Sequence, residues 1–405
     1  MNYCDSAVVF VAREPGSDSQ PLLLQNLLFS PAAAWLCRSL QLSGVERFFV
    51  VTEREFLDAC AACFPQTAHI LPYDHPQLND ALQAFVSVAE GKVLTFTQPV
   101  WLSFAAGQEL AQAETLLPAG VPLGIYRVEP EALARDGIDA AFQGEPYAPA
   151  LDAAPIALPF HTPAERNQAQ YCARMDNLCR WLSLGVEMLD MNAVYIDIDA
   201  EIGSGTVLLP GTILRGRTVI GENCEIGPNS MIRDCVLGNG CVANASQLNQ
   251  AQFGDNVNIG PFAYVRPGSV VGDGCKVGDF VELKNSTLGE GTKLPHLIYV
   301  GDSDVGAHCN FGCGSITCNY DGNYKYRTTV GDDAFIGCNT NLVSPVRWET
   351  ERTPPQALPS LAASLQMLWP LDGWSRPPNR VGQDGIAPKR PTPDVPLLIW
   401  RCCPA

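Results

Sequence analysis

A chain of 405 residues has room for two or three domains. Its 43 acidic against 26 basic residues leave a net charge of −17. That excludes a general nucleic-acid or anionic-membrane binder, because both partners need a cationic face, so any phosphate site must be a local basic cluster. With 46% apolar and 17% charged residues the chain reads as globular, and it holds no uncharged apolar run of the roughly 18 residues that a membrane span needs. No basic residue precedes Arg13 and no cleavage pattern follows a long apolar core, so a cytoplasmic protein is expected. The 16 cysteines, spread from Cys4 to Cys403, read as reduced thiols, most of them small apolar fillers. The one CxxC, Cys60 to Cys63, lies in a helical-looking run without a second pair to complete a zinc site; His69 and His75 do not change that.

Residues 1–163 alternate short β-rich runs (AVVFV at 7–11, RFFVV at 47–51, KVLTF at 92–96) with helix-like stretches, which predicts a parallel-sheet α/β domain. From 164 to about 190 apolar residues recur at helical spacing with no interior Pro or Gly before Gly185, so residues 164–193 are expected to form a connecting helix.

The period then changes from 3.6 to 6. Ile202, Leu208, Leu214, Ile220, Ile226 and Ile232 stand six apart. After slips the phase returns with Phe253, Ile259, Val265, Val271, Val277 and Leu283, and again with Val330, Ile336 and Leu342. Many are followed by Gly, as at Gly203, Gly227, Gly254, Gly260, Gly272 and Gly278. An antiparallel β-protein would show period 2. A six-residue repeat instead predicts a parallel β-helix over 194–346, with three units to a triangular coil and the repeated aliphatic stacked inside.

From Arg347 to Ala405 the hexad stops, and this stretch carries 4 of the 7 Trp and 11 of the 32 Pro. With one permitted choice of codons, Arg347 to Ala357 read from the third base gives VGDGAHTAAG, another hexad. The same shift over Pro378 to Gly385 gives KQGWPRR. Two recoveries in one frame point to a frameshift near Val346; the alternative is a genuine Pro-rich tail.

The segments GPFAYVRPGS, GDFVELKNSTLGEGTKLPHLIYVGDSDVG and NFGCGSITCNYDGNYKYRTTVGDDAFIG, between Gly260 and Val346, resemble one family. It is the bifunctional N-acetylglucosamine-1-phosphate uridyltransferase and glucosamine-1-phosphate N-acetyltransferase family, GlmU. The resemblance covers 185–346 well, the earlier residues weakly and the tail not at all. It implies a left-handed β-helix, a homotrimer, and acetyl transfer from acetyl-coenzyme A to the amine of glucosamine-1-phosphate in cell-wall precursor synthesis. Such a transfer needs an unprotonated amine and therefore a base, for which imidazole is suited at neutral pH. From the residues alone His296, in KLPHLIY, reads first as an exposed loop histidine; the resemblance makes it the catalytic base. Arg266, Lys284 and Lys325 match family positions that hold the sugar phosphate, and positive residues on otherwise acidic coils favour a local anion site. Tyr299 and Asn310 match sugar-contacting positions. Asn319 and Tyr320 match residues near the sugar and acetyl-coenzyme A, and Cys313 and Cys338 stand where the family places small residues beside coenzyme A.

The N-terminal part departs from the resemblance. A family uridyltransferase opens with a Gly-rich phosphate loop and a downstream Lys. Here VVFVA is followed by REPGSDSQPLL, with one glycine and no lysine. Where a metal-binding Asp belongs, KVLTFTQPVW has Thr97, Gln98 and Pro99. Asn177 is the one weak candidate for magnesium, which is needed only if this part is active. The expectation is a degenerate nucleotidyltransferase-like fold without uridyltransferase activity. Three alternatives stand beside acetyl transfer: a bifunctional enzyme, which needs the missing loop; a β-helix metal hydratase, which needs three His where the coils have only His296 and His308; and a non-catalytic assembly protein.

Overall fold

The computed structural model describes residues 4–14, 16, 18–112, 122–148 and 157–348. The tail after 348, and with it the region of the inferred frameshift beyond Trp348, lies outside the described residues.

The N-terminal part is a mixed α/β layer. Ser6–Val11 is flanked by Arg47–Thr52 and Val93–Phe96, and His69–Pro72 extends the sheet beyond Arg47–Thr52, all four parallel. Ile125–Val128 and Glu145–Pro146 then add on in antiparallel sense, so the expected parallel sheet is mixed at one edge. The central strand is buried on both faces. Trp35, Leu36 and Leu40 of helix Ala32–Leu42 cover one face, and Leu78, Leu82 and Phe85 of helix Leu78–Val86 cover the other. A continuous apolar run such as AVVFV is what a strand buried on both faces requires.

Helix Pro163–Ser183 joins this layer to the repeats. It begins at a capping box in which Thr162 Oγ1 accepts from Glu165 N and the Glu165 carboxylate accepts from Thr162 N, with Pro163 at the first helical position. It ends at Gly185, which takes φ 85°. The helix is fastened to the first coil: Arg174 Nε donates to the Val194 carbonyl at 3.1 Å and its guanidinium lies over the Tyr195 ring. The layer itself touches the coil through Ser30, which donates to Asp197 at 2.6 Å. Among the described residues no helix is long and apolar enough to cross a membrane.

From Glu187 to Trp348 the chain winds through three parallel nine-stranded sheets, each strand pairing with the one three strands later. This is the left-handed β-helix. Every hexad aliphatic named above is buried, and residues at the same hexad position lie directly above one another, as in the pairs Leu208 with Ile226 and Leu214 with Ile232. Two residues before each aliphatic stands a small side chain. Along one edge Thr206, Cys224, Cys241, Cys275, Thr292 and Cys309 each donate a hydroxyl or thiol to a glycine carbonyl on the following coil, at 2.7–3.2 Å. The cysteines therefore act as small fillers that also satisfy corner carbonyls that would otherwise lose a partner on burial. The corners take left-handed backbone, supplied by Gly, Asn and Asp in most coils. Gly278 is required for another reason: a Cβ there would meet the Pro295 carbonyl at 1.8 Å.

Candidate functional site

The parallel register builds the site out of columns. Asp279 stands opposite His296 on the neighbouring coil, and the Asp279 carboxylate lies 3.6 Å from His296 Nδ1. Lys293 pairs with Asn310, and Gly314 N donates to the Leu297 carbonyl, so Cys313 follows His296 one coil further on. The His296 side chain is 51% exposed, open to a substrate. A carboxylate facing Nδ1 favours the tautomer that leaves Nε2 free to accept a proton.

The adjacent face carries Tyr264, Glu282, Tyr299 and Ile316 in register. Arg266 Nη1 donates to Glu282 at 2.8 Å. The hydroxyl of Tyr299 lies over Gly301, where a Cβ would meet it at 2.2 Å, so glycine at 301 makes room for the tyrosine ring. Beyond this face is a polar knot around Asp302. Its carboxylate takes the Lys284 ammonium at 3.4 Å and the Asn285 amide at 2.6 Å, and also accepts from the buried Asn319. Burial by itself would raise the Asp302 carboxyl, but the amides of Asn285 and Asn319 and the Lys284 charge bring it below the ordinary carboxylate value. Lys325 comes from the insertion after Cys318, which folds back through a bridge between Tyr320 and Lys325. It is pressed against Lys284, and that close ammonium is the main reason its own pKa lies below the usual lysine value; burial and Arg266 add to the effect and Asp302 opposes it. Cations held this close are relieved by an anion bound between them.

The structure thus brings His296 and Tyr299 onto one corner of the prism, with Arg266, Lys284, Lys325 and Asn319 on the face that follows. Asn310 lies in the same sheet as His296, on the next coil. Tyr320 is exposed and donates to the Gly322 carbonyl. Asp279, Glu282, Gly301 and Asp302 complete the arrangement and were not anticipated. A column register read from the hexads would have exposed Asp279, seventeen residues before His296 as Lys276 is before Lys293.

The N-terminal part looks different. Arg13, after the central strand, is held by Glu53 at 3.5 Å and Glu55 at 2.6 Å and lies over the Phe56 ring. Thr97 donates to the Gly124 carbonyl. Asn177 is buried and donates its amide to the Ile196 carbonyl at 3.1 Å. Magnesium is held by oxygen ligands that include carboxylates. The Asn177 Oδ1 is buried without a hydrogen-bond partner, but with Thr97, Gln98 and Pro99 in place of an acid and no group of three or more His, Cys, Asp or Glu placed to hold a metal among the described residues, the site does not fit that ion.

Asp302→Asn retains a residue that tolerates the left-handed backbone at 302 (φ 50°) and removes only the charge. Because the folded Asp302 is depressed, its stabilisation is present above the unfolded carboxylate pKa of about 3.9 and is lost as pH falls through the folded value. The substitution should cost about 1–3 kcal/mol in urea unfolding at pH 7, and the gap from the unaltered chain should close below about pH 4. An equal gap at pH 3 would show that the charge contributes nothing.

The family described as bacterial transferase hexapeptide (six repeats) matches residues 199–234 and 251–285. The bifunctional protein GlmU of Clostridium beijerinckii (strain ATCC 51743 / NCIMB 8052) is 52% identical over 162 residues, 40% of this chain and 36% of that protein. The bifunctional protein GlmU of Clostridium novyi (strain NT) is 49% identical over 170 residues, 42% of this chain and 37% of that protein. Among solved structures, the acetyltransferase domain of PglB from Neisseria gonorrhoeae FA1090 in complex with acetyl coenzyme A aligns over 71% of this chain and 95% of its own, at 10% identity and a TM-score of 0.24, too low to carry an argument. The chain thus spans little more than a third of the length of the curated relatives it matches. Over about two fifths of its length the chain is thus similar to bifunctional GlmU proteins, and residues 199–234 and 251–285 carry the hexapeptide repeats of bacterial transferases.

Proposed function

We propose that the β-helix transfers an acetyl group from acetyl-coenzyme A to the amine of glucosamine-1-phosphate, a cytoplasmic step toward UDP-N-acetylglucosamine. The observation that carries this reading is the pairing of His296, its Nδ1 facing Asp279, with the cation group of Arg266, Lys284 and Lys325 on the adjoining face. The cations hold the phosphate, and Tyr299 and Asn310 orient the sugar. As the amine nitrogen attacks the thioester carbonyl, a C–N bond forms and the C–S bond breaks. His296 Nε2 takes the proton that the nitrogen sheds and passes it to the departing sulfur, so coenzyme A leaves as its thiol. Asn319 and Tyr320, with Cys313 and Cys338 on the coils above His296, border the acyl donor.

The remainder of the reading is that the N-terminal part does not transfer uridylyl groups. Nucleotide phosphates need free backbone N–H groups and a free cation; here the Arg13 guanidinium is engaged by two carboxylates. The reading also includes a homotrimer formed along the coils. Phe262, Phe280 and Leu297 stand on one edge with φ of 52–59°, 55–59% exposed, and the two phenyl rings stack at 5.4 Å. Bulky apolar residues in left-handed backbone at an exposed edge are costly in an isolated chain and are relieved by a covering copy.

His296→Ala should lower the acetyl-transfer rate by about 10² to 10⁴ with sugar-phosphate binding nearly intact, whereas Lys284→Ala should weaken that binding by about 1.5–3 kcal/mol. Full activity in His296→Ala would end the assignment. With UTP, magnesium and N-acetylglucosamine-1-phosphate, pyrophosphate release should be undetectable; an ordinary enzymatic rate would overturn the inactive reading. Sedimentation at micromolar concentration should give a trimer, and a monomer alone would count against the shared site.

A further inference from the structure

The cysteines of the coils fall into two groups. Cys224, Cys235, Cys241, Cys275 and Cys309 are buried, with their thiols engaged to carbonyl oxygens. Cys313 and Cys318 are half-buried and Cys338 is exposed. Cys313 and Cys338 occupy the same place on successive coils, whereas Cys318 stands in another sheet opposite Val343. The pairs Asn310 with Phe335 and Phe311 with Ile336 set the register. Gly312 N donates to the Ile336 carbonyl at 2.7 Å and Asn339 N donates to the Cys313 carbonyl at 2.8 Å, so the register continues past the strand. Neighbouring strands lie about 4.8 Å apart, within the roughly 4.4–6.8 Å between Cα atoms that a disulfide spans. Cysteines at hexad corners two residues before the aliphatic have a packing reason to be there; this pair does not. Its neighbour in the same column is His296.

We propose that Cys313 and Cys338 form a peroxide-sensitive thiol pair that closes to a disulfide between adjacent coils beside His296. The more exposed Cys338 thiol attacks hydrogen peroxide, giving a sulfenic acid and one water. The Cys313 thiol then attacks that sulfur, the S–S bond forms, and the sulfenic oxygen leaves as a second water, so two thiols and one peroxide give one disulfide and two waters. The oxidised pair ties together the two coils that border the acyl donor and withdraws both sulfurs from that surface. This consequence for turnover rests on the acetyl-transfer reading; the disulfide itself does not.

The full chain would be treated with hydrogen peroxide and digested with trypsin without reduction. Cleavage after Lys293, Lys325, Arg327 and Arg347 puts Cys313 and Cys338 on separate peptides. Mass spectrometry should find these two peptides joined, two hydrogens lighter than their sum, with fragment ions placing the bond at Cys313 rather than Cys309 or Cys318, and dithiothreitol should part them. In Cys313→Ala the bond should be missing and Cys338 should be trapped by dimedone as its sulfenic acid. A bond from Cys338 to Cys318, or Cys338 oxidised to sulfinic acid while Cys313 remains alkylatable, would overturn the proposal. Loss of acetyl transfer on oxidation, restored by dithiothreitol, is the expected activity result, and a joined pair with undiminished transfer would overturn the effect on turnover. A reduced chain without any transfer would instead fail the acetyl-transfer reading, while the peptide result would still decide the pair.

Discussion

The structure depends on one constraint: in a parallel β-helix, each strand residue sits on the residue that occupies the same strand position one coil earlier. An aliphatic in each hexad then becomes a continuous buried column, and each such side chain contributes about 1.5–3 kcal/mol by leaving water. The position two residues earlier becomes a column of small hydroxyls and thiols. Thr206, Cys224, Cys241, Cys275, Thr292 and Cys309 are chemically different but alike in size and in reaching a corner carbonyl. Four of the 16 cysteines are explained by this geometry without redox chemistry.

The same stacking assembles the surface site. Asp279 meets His296 because they share a column, not because they are near in sequence. Glu282 and Tyr299 share the next column, and Arg266 reaches Glu282 across it. The insertion after Cys318 breaks the repeat to bring Lys325 against Lys284, a placement that regular coils would not produce. A chain of net charge −17 thus brings Arg266, Lys284 and Lys325 close together on one face. Asp302 keeps them from dispersing the fold: it neutralises Lys284 from the protein side and leaves Lys325 exposed toward solvent.

The N-terminal layer shows the opposite use of charge. At the end of its central strand the arginine is satisfied by Glu53 and Glu55 and by the Phe56 ring, all from the following strand and helix turn. A loop whose cation is already paired within the protein offers little to a nucleotide phosphate. What this layer demonstrably does is pack on the connecting helix and the first coil, through Ser30 with Asp197 and Leu28 N with Gln170.

Much of the β-helix was legible in the sequence, because a period of six in single aliphatics is a one-dimensional property that survives without knowledge of contacts. Arg266, Lys284, His296 and Lys325 were singled out by motif resemblance alone, as was the departure from a phosphate loop after VVFVA. Other features depended on three-dimensional register. The slips of phase, as between Ile232 and Leu237, shorten individual coils, so sequence distance does not map onto column by a fixed count. Asp302 therefore reads as an ordinary acidic loop residue until the coils are stacked, and Asp279 does so until the seventeen-residue step of its column is applied. The antiparallel strands Ile125–Val128 and Glu145–Pro146 escaped for a similar reason, since strand direction is set by how the connections fold back, not by the apolar pattern within a strand. By itself the sequence determined the repeat, the core and the kinds of side chain available, because burial period and residue chemistry are local. Only the tertiary structure decided which of those side chains meet, because that is fixed by the coil-to-coil register.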